Sequence, residues 1–597
     1  MREYSVPAAA AIAPTANMTD HLVDALADDP DRVQFRRRAD GGWRPVTLRE
    51  FMDQARGAAK GLIASGVQPG DRVGLMSRTR YEWTVFDIAI LLAGAVTVPI
   101  YETSSAEQVR WILGDSGAVA VVVETPEHAS LVSAVRPDLP TLRQVWTVED
   151  LEQLATAGQA VDDETLEARR RSADTSTVSS IVYTSGTTGR PKGCTITHGN
   201  MLAVATGMVS GPFGDELRYG TSTLLFLPLA HVMGRDIQFG STWQGAPMGH
   251  TYDLAGLVDD LQVFRPDYLL SVPRVFEKVY NMASAKAAEE GRERIFDSAA
   301  ATAIGYSQAL DRGRPGLLLR LRHAVFDLLV YRRLRDRLGG QVSWALSAGA
   351  PLGTRLAHFF RGAGITVYEV YGMTENFGPA TLSHRGAMRV GTVGRPIPGS
   401  TIRVADDGEI LIKGPHVMAG YWNNPAATAE TIDPDGWLRT GDIGQLDDDG
   451  YLSITGRKKD LIVTSGGKNV APAVLEDRAR ASRLVSQIMV VGDNRPFVAA
   501  LVTLDREFLP TWLELRHRPN DTPAEKLADD PDVRAEIQQS IDRANTAVSR
   551  AESIRAFRIL PDDFTVEGGQ LTPSMKLKRD VVSKEHAADI EALYSQI

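Results

Sequence analysis

Only one cysteine, Cys194, occurs among 597 residues. That excludes an intrachain disulfide framework and any cysteine-rich metal site, and it fits a reducing compartment. Cys194 itself reads as a small inert side chain. Long apolar runs are also missing. The most apolar stretch, Ile88 to Ile100, is interrupted by Gly94, Thr97 and Pro99, whereas a membrane-spanning helix needs about 20 apolar residues. No crossing helix is expected. The opening Met1-Arg2-Glu3-Tyr4-Ser5-Val6-Pro7 has an early acid and leads into a weak apolar run, so no secretory signal is expected. Basic charge is short as well, with 65 Lys and Arg against 75 Asp and Glu for a net charge of -10. Gripping nucleic acid rests on cations that neutralise phosphates, so no nucleic-acid partner is expected. Together these absences lead us to expect a cytoplasmic protein.

What remains, 43% hydrophobic and 23% charged residues, excludes disordered, collagenous and coiled-coil chains. At roughly 150 residues per domain, the length suggests several domains or one large and one smaller. Arg72 to Met76, Val96 to Ile100 and Ala118 to Glu124 read as strands, with helices at Tyr81 to Gly94 and Ser105 to Leu113 between them. This alternation implies a parallel α/β sheet. The pattern resumes at Ser179 to Thr184, Thr223 to Leu227, Tyr268 to Val272 and Trp344 to Ser347. Residues 1–456 are therefore read as one large body of α/β subdomains with a small β region beyond Pro398, built on runs such as Gly408 to Ile412 and Gly450 to Ile454. Residues 457–597, with strands at Ile488 to Val491 and Ala499 to Leu504 and helices at Asp532 to Ala551 and Ser583 to Ser595, form a smaller α+β domain.

About residues 281–337 read as a helical insertion carrying Leu317-Leu318-Leu319-Arg320-Leu321-Arg322 and Leu328-Leu329-Val330-Tyr331-Arg332-Arg333. Such a helix suits an anionic membrane surface. It equally suits the solvated face of a packed helix, so peripheral contact with the inner face of the membrane is left open.

After the apolar run Ser180-Ile181-Val182-Tyr183 comes Thr184-Ser185-Gly186-Thr187-Thr188-Gly189-Arg190-Pro191-Lys192-Gly193. Its three glycines, four hydroxyls and two cations in ten residues suit a loop wrapped around a polyphosphate. It lacks the consecutive Gly, Lys and Ser/Thr of a Walker A loop. Further distinctive strings follow in order: Pro228-Leu229-Ala230-His231, Ser347-Ala348-Gly349-Ala350-Pro351-Leu352, Tyr371-Gly372-Met373-Thr374-Glu375, Gly436-Trp437-Leu438-Arg439-Thr440-Gly441-Asp442, Gly456-Arg457-Lys458-Lys459-Asp460 and Leu571-Thr572-Pro573-Ser574-Met575-Lys576-Leu577-Lys578-Arg579. From about residue 45 to 585 the chain resembles the adenylate-forming enzymes, the superfamily of acyl-CoA synthetases, adenylation domains and luciferases.

The resemblance implies ATP, Mg²⁺ and coenzyme A as small-molecule participants, and a role for each matched residue. Thr184, Ser185, Gly186, Thr187, Thr188, Gly189 and Lys192 would hold the β and γ phosphates. Thr374 would contact the α-phosphate, and Glu375 with the Thr184 hydroxyl would help hold Mg²⁺, which favours hard oxygen ligands. Adenine would lie against Tyr371 and Gly372, near Gly349 and Ala350. Asp442 would accept bonds from the ribose hydroxyls, assisted by Arg457. Lys576 would bridge the acyl carboxylate and the α-phosphate, as a point charge on a flexible stem can. Met575 stands where many relatives have glycine and Lys578 lies two residues on, so Lys578 stays as the alternative to Lys576. The small domain would swing on a hinge at Lys459, and Gly467, within Ser465-Gly466-Gly467-Lys468-Asn469, would line the pantetheine channel. His231 would line the acyl tunnel or sit near the carboxylate, unless it is a packed core histidine.

Ser271 to Tyr280, Gly492 to Phe497 and Gly467 to Pro472 resemble the long-chain acyl-CoA synthetase branch, which makes a long-chain fatty acid the expected substrate. Each buried methylene contributes about 0.8 kcal/mol, so a range of chain lengths is expected. A fatty acyl-AMP ligase that delivers the adenylate to a carrier protein is the alternative. A non-catalytic sensor on the same scaffold is set aside because Lys192, Glu375, Asp442 and Lys576 are all present.

Overall fold

The computed structural model describes residues 2–39, 42–184, 190–217, 220–466, 468–520, 522–566, 568–572 and 575–595. The anticipated strands form, but they divide between two sheets. The first runs Gly420–Tyr421, Lys192–Thr197, Val178–Thr184, Val96–Ile100, Arg72–Met76, Ala120–Val123 and Gln144–Thr147. Val178–Thr184 through Gln144–Thr147 are parallel neighbours, while Lys192–Thr197 turns back antiparallel. The second contains Thr366–Met373, Trp344–Ala348, Tyr268–Ser271, Thr223–Leu225, Met248–His250 and Val33–Ala39 as parallel neighbours, with antiparallel strands at both edges. Strand periodicity reports burial, not which strand lies alongside, so the division could not be read from the sequence.

Two helices fill the space between these sheets. Tyr81–Leu92 is buried at every residue, as a helix apolar all round must be. Val232–Gln244 is nearly so, yet it carries Arg235. Arg235 is wholly buried and pairs with the equally buried Asp87 at 2.8 Å. Its third nitrogen donates to Ser180 Oγ at 2.8 Å, and Asp87 also accepts from Thr97 at 2.8 Å. Buried charges persist when paired and hydrogen-bonded in this way, and the pair fastens both helices to the first sheet.

A third, antiparallel sheet of Glu3–Ser5, Thr401–Val404, Glu409–Lys413, Leu438–Leu446 and Leu452–Arg457 closes the large body. Beyond it, the strands Val485–Val491, Val498–Leu504 and Ile554–Leu560 pack with the helices Pro472–Ala479 and Pro531–Asn545 around a separate core. The helix anticipated at Asp532 to Ala551 stops at Asn545 because that side chain bonds the Ile554 carbonyl and amide at 3.0 and 2.8 Å, holding a turn. The helix anticipated at Ser583 to Ser595 is likewise two, Arg579–Glu585 and Ala587–Tyr594, joined at His586.

Candidate active site

Strands Val178–Thr184 and Lys192–Thr197 pair antiparallel with Thr184 opposite Lys192, which brings the ends of the Gly/Ser/Thr loop together. Ser185, Gly186, Thr187, Thr188 and Gly189 lie outside the described residues. The Lys192 ammonium stands 4.9 Å from the centre of the Tyr421 ring, and the Tyr421 hydroxyl donates to Glu375 at 2.8 Å. A cation and a carboxylate thus converge at the mouth of the loop through one aromatic side chain. Cys194 is buried on the next register, and burial pushes its thiol well above its ordinary range.

Glu375 and Thr374 sit in a short 3-10 turn after strand Thr366–Met373. Asn376 fixes that turn by accepting from the Met373 amide at 2.8 Å and donating to the Gly378 carbonyl at 2.7 Å. At Gly372 a Cβ would lie 1.6 Å from the Gly378 carbonyl oxygen, so only glycine lets the two strands approach this closely. Beside it the Tyr371 hydroxyl donates to one oxygen of Asp442 at 2.8 Å, and Arg457 Nε donates to the other at 2.8 Å. Asp442 is buried with one charge partner and one neutral donor. Burial, with the neighbouring carboxylate next, holds the Tyr371 phenol well above its ordinary range, so it remains a donor.

Lys576 arrives from the C-terminal part of the chain. Its Cε lies 3.9 Å from where a Gly349 Cβ would stand, and Gly349 itself has φ +88°. A side chain at Gly349 would be strained by that backbone and would touch the lysine stem. Burial, then the Arg457 charge, lower the lysine's affinity for its proton, with Asp442 and Glu375 opposing. All three groups therefore lie within electrostatic reach of one ammonium. Lys578 instead precedes helix Arg579–Glu585, where its amide bonds the Gln570 carbonyl at 2.8 Å. Met575 has φ +63°, the left-handed region that favours glycine, which is the physical reason a glycine would be at home there.

His231 caps helix Val232–Gln244, its Nδ1 accepting from the Met233 amide at 3.2 Å. Burial, aided by the Lys576 charge, lowers its pKa to about 4, so it is neutral. It flanks the lysine but owes its seat to the cap. Ala350 is exposed beside Gly349. Lys459 is exposed in the turn after Leu452–Arg457, and it is the adjacent Lys458 that ties this junction to the large body through Asp407 and Glu409 at 2.6 and 3.0 Å. Gly467 lies outside the described residues, while Lys468 pairs with Glu552 at 3.2 Å, away from the cluster.

Sequence reasoning missed Tyr421 and Asn376, whose only local signal is proximity to matched strings. It also missed a cavity of about 650 Å³ where Arg36, Arg37, Arg38, Arg78 and Arg80 alternate with Glu82, Glu124 and Asp253; Arg37, Arg78 and Arg80 are paired with these acids. Thr79 joins this cavity to the His231 loop, donating to the Leu227 carbonyl at 2.7 Å and accepting from the Leu229 amide at 3.3 Å. Burial would raise the Glu124 carboxyl, but bonds from Arg78 outweigh it and hold it below the usual range.

Among the described residues, no group of three or more His, Cys, Asp or Glu side chains is placed to hold a metal. A lone carboxylate such as Glu375 would suit Mg²⁺ only if phosphate oxygens of a substrate completed its shell.

Comparison with known proteins matches residues 22–422 to the AMP-binding enzyme model and residues 459–597 to the AMP-binding enzyme C-terminal domain. The chain is 51% identical over 601 residues to the long-chain-fatty-acid–CoA ligase FadD15 of Mycobacterium bovis, covering all of both chains. It is 30% identical to the long-chain-fatty-acid–CoA ligase ACSBG2 of Xenopus laevis, covering 94% of this chain and 82% of that one. Among solved structures, the A domain of carboxylic acid reductase from Segniliparus rugosus, in complex with AMP and a co-purified carboxylic acid, superposes with a TM-score of 0.75. Identity there is 23%, over 98% of this chain and 95% of that one.

Proposed function

The chain belongs to the AMP-binding enzyme family, and from its full-length likeness to long-chain-fatty-acid–CoA ligases we propose that it is a long-chain fatty acid–CoA ligase working through an acyl adenylate. In the first step the fatty acid carboxylate attacks the α-phosphorus of ATP; a carboxylate oxygen–phosphorus bond forms and pyrophosphate leaves. In the second, the CoA thiol attacks the acyl carbon and AMP departs. The work of the protein in adenylation is to orient the reactants and to meet developing charge with fixed charge.

The observation that carries this reading is the seating of Lys576 against Gly349, within reach of Glu375, Asp442 and Arg457. Lys576 neutralises charge between carboxylate and α-phosphate, and Thr374 steadies that phosphate. Asp442, with one oxygen held by Tyr371 and the other by Arg457, receives the ribose. Thr184, Lys192 and the loop between them take the β and γ phosphates. Glu375 and Thr184 would help hold Mg²⁺, which when bound offsets phosphate charge. His231, neutral and capping its helix, fixes the floor beside the lysine. The turn at Lys459 serves as the hinge that later removes Lys576 and admits the thiol past Gly467.

Among the described residues no helix is long and apolar enough to cross a membrane; contact with a membrane surface is part of the reading.

The test is product formation from radiolabelled palmitate, ATP and Mg²⁺ with and without CoA, resolving acyl-AMP from acyl-CoA. Acyl-CoA appearing only with CoA is the expected result. Acyl-AMP that accumulates and ignores CoA would assign the chain to carrier-dependent ligases.

A further inference from the structure

Helix Leu317–Phe326 has no buried residue. Leu317, Leu318, Leu321 and Val325 are 77, 81, 67 and 56% exposed, and Leu328 and Leu329 extend the row at 66 and 46%. Their spacing of three to four residues places them along one side of the helix. The opposite side is already occupied. His323 bonds the Gly362 carbonyl at 2.6 Å and stacks on Tyr306 at 3.9 Å. Tyr331 is fully buried and donates to the Ala299 carbonyl at 2.6 Å, and Leu334 is buried beside it. A single π-turn, Asp327–Tyr331, leaves Leu328 and Leu329 outside while Tyr331 points in. The leucine row is thus the free face of a helix whose other face is fixed to the body.

Charge identifies what covers it. Between Arg312 and Arg337 there are eight arginines against Asp327 and Asp336, in a chain whose net charge is -10. Arg320, Arg322, Arg332 and Arg333 flank the leucines and are exposed, and among the described residues none has a carboxylate partner. A second copy of this chain is a poor occupant, since a two-fold contact sets the same patch against itself and would oppose the two arginine sets. Nucleic acid would leave the leucines in water.

We infer that this face docks on an anionic phospholipid bilayer, the leucines entering the acyl boundary and the arginines meeting the headgroup phosphates. It rests on the ligase reading only in its purpose, which is to hold the active site where a long-chain acid resides.

The experiment is co-sedimentation of the full chain with phosphatidylcholine vesicles, with and without phosphatidylglycerol. Binding should require phosphatidylglycerol and weaken with salt. Changing Arg320, Arg322, Arg332 and Arg333 to Gln should reduce partitioning by about five-fold per charge, and Leu318→Glu with Leu321→Glu by at least roughly ten-fold. Both variants should keep the wild-type melting temperature and wild-type turnover of water-soluble octanoate. Equal vesicle binding by wild type and variants, or none by any, overturns the proposal. So does a wild-type dimer that the Leu→Glu changes dissociate without any effect on lipid binding. Sedimentation reads no catalysis, so vesicle binding without ligation would defeat the ligase reading and leave this surface standing.

Discussion

Lys576→Ala separates the two half-reactions. The ammonium reaches the site from the smaller domain, packs by its Cε near Gly349 and feels the charges of Arg457, Asp442 and Glu375. It meets charge that develops on the carboxylate and α-phosphate, where removing one fixed group costs about 2.7–4 kcal/mol, or roughly 10²–10³ in rate. Palmitate-dependent exchange of pyrophosphate into ATP should therefore fall by that factor. Thioester formation from supplied palmitoyl-AMP and CoA, which in the proposed cycle follows withdrawal of the lysine, should change less than about three-fold, since that step makes no use of the ammonium. Lys578→Ala should leave both steps within about two-fold, because Lys578 belongs to the start of its helix. Wild-type exchange should also decline on the alkaline side before an ordinary lysine would titrate, because burial and Arg457 lower this pKa from 10.5. Equal loss in both half-reactions, or an unaffected exchange, would refute the reasoning.

Four other outcomes are expected. Met575→Gly relieves a left-handed backbone at φ +63° and should stabilise the protein by about 1 kcal/mol, read as a higher thermal midpoint; no rise would mean the turn carries no strain. Arg235→Met leaves Asp87 buried without its partner and should cost about 3–5 kcal/mol, much of it recovered in Arg235→Met with Asp87→Leu; a double variant no better than the single would contradict the pairing. Cys194, buried and with its thiol pushed up, should resist iodoacetamide until the protein unfolds, and labelling of native protein would count against its position. His198, His250 and His416 are buried and His231 partly so, and all are neutral, each lowered from 6.5 to about 4 chiefly by desolvation. The unfolded chain binds more protons across that window, so stability should fall by several kcal/mol, order of magnitude, as pH drops from about 6.5 toward 4. A flat thermal midpoint across that range would refute this.

Much of the local structure was legible because it depends on neighbours in sequence. Burial periodicity located Arg72–Met76, Val96–Ile100 and Tyr268–Ser271 nearly to the residue, and the ordered strings marked Lys192, Glu375, Asp442 and Lys576 as the groups to watch. Even the departure at Met575 was visible as an odd residue in a familiar string, although its positive φ was not.

Tertiary structure decided which distant groups meet. The strands of the large body were divided between two sheets, since strand pairing depends on packing across the fold. Tyr421 became a bridge between Lys192 and Glu375, lying 229 positions beyond Lys192 in the sequence. The fold also brings the Lys576 side chain to Gly349 and sets Lys578 at a helix start. The leucines at 317–329 could have been core or surface from their pattern alone; only the seating of His323 and Tyr331 left that row facing outward. An amphipathic pattern fixes two faces of a helix, and the rest of the fold determines which one is covered.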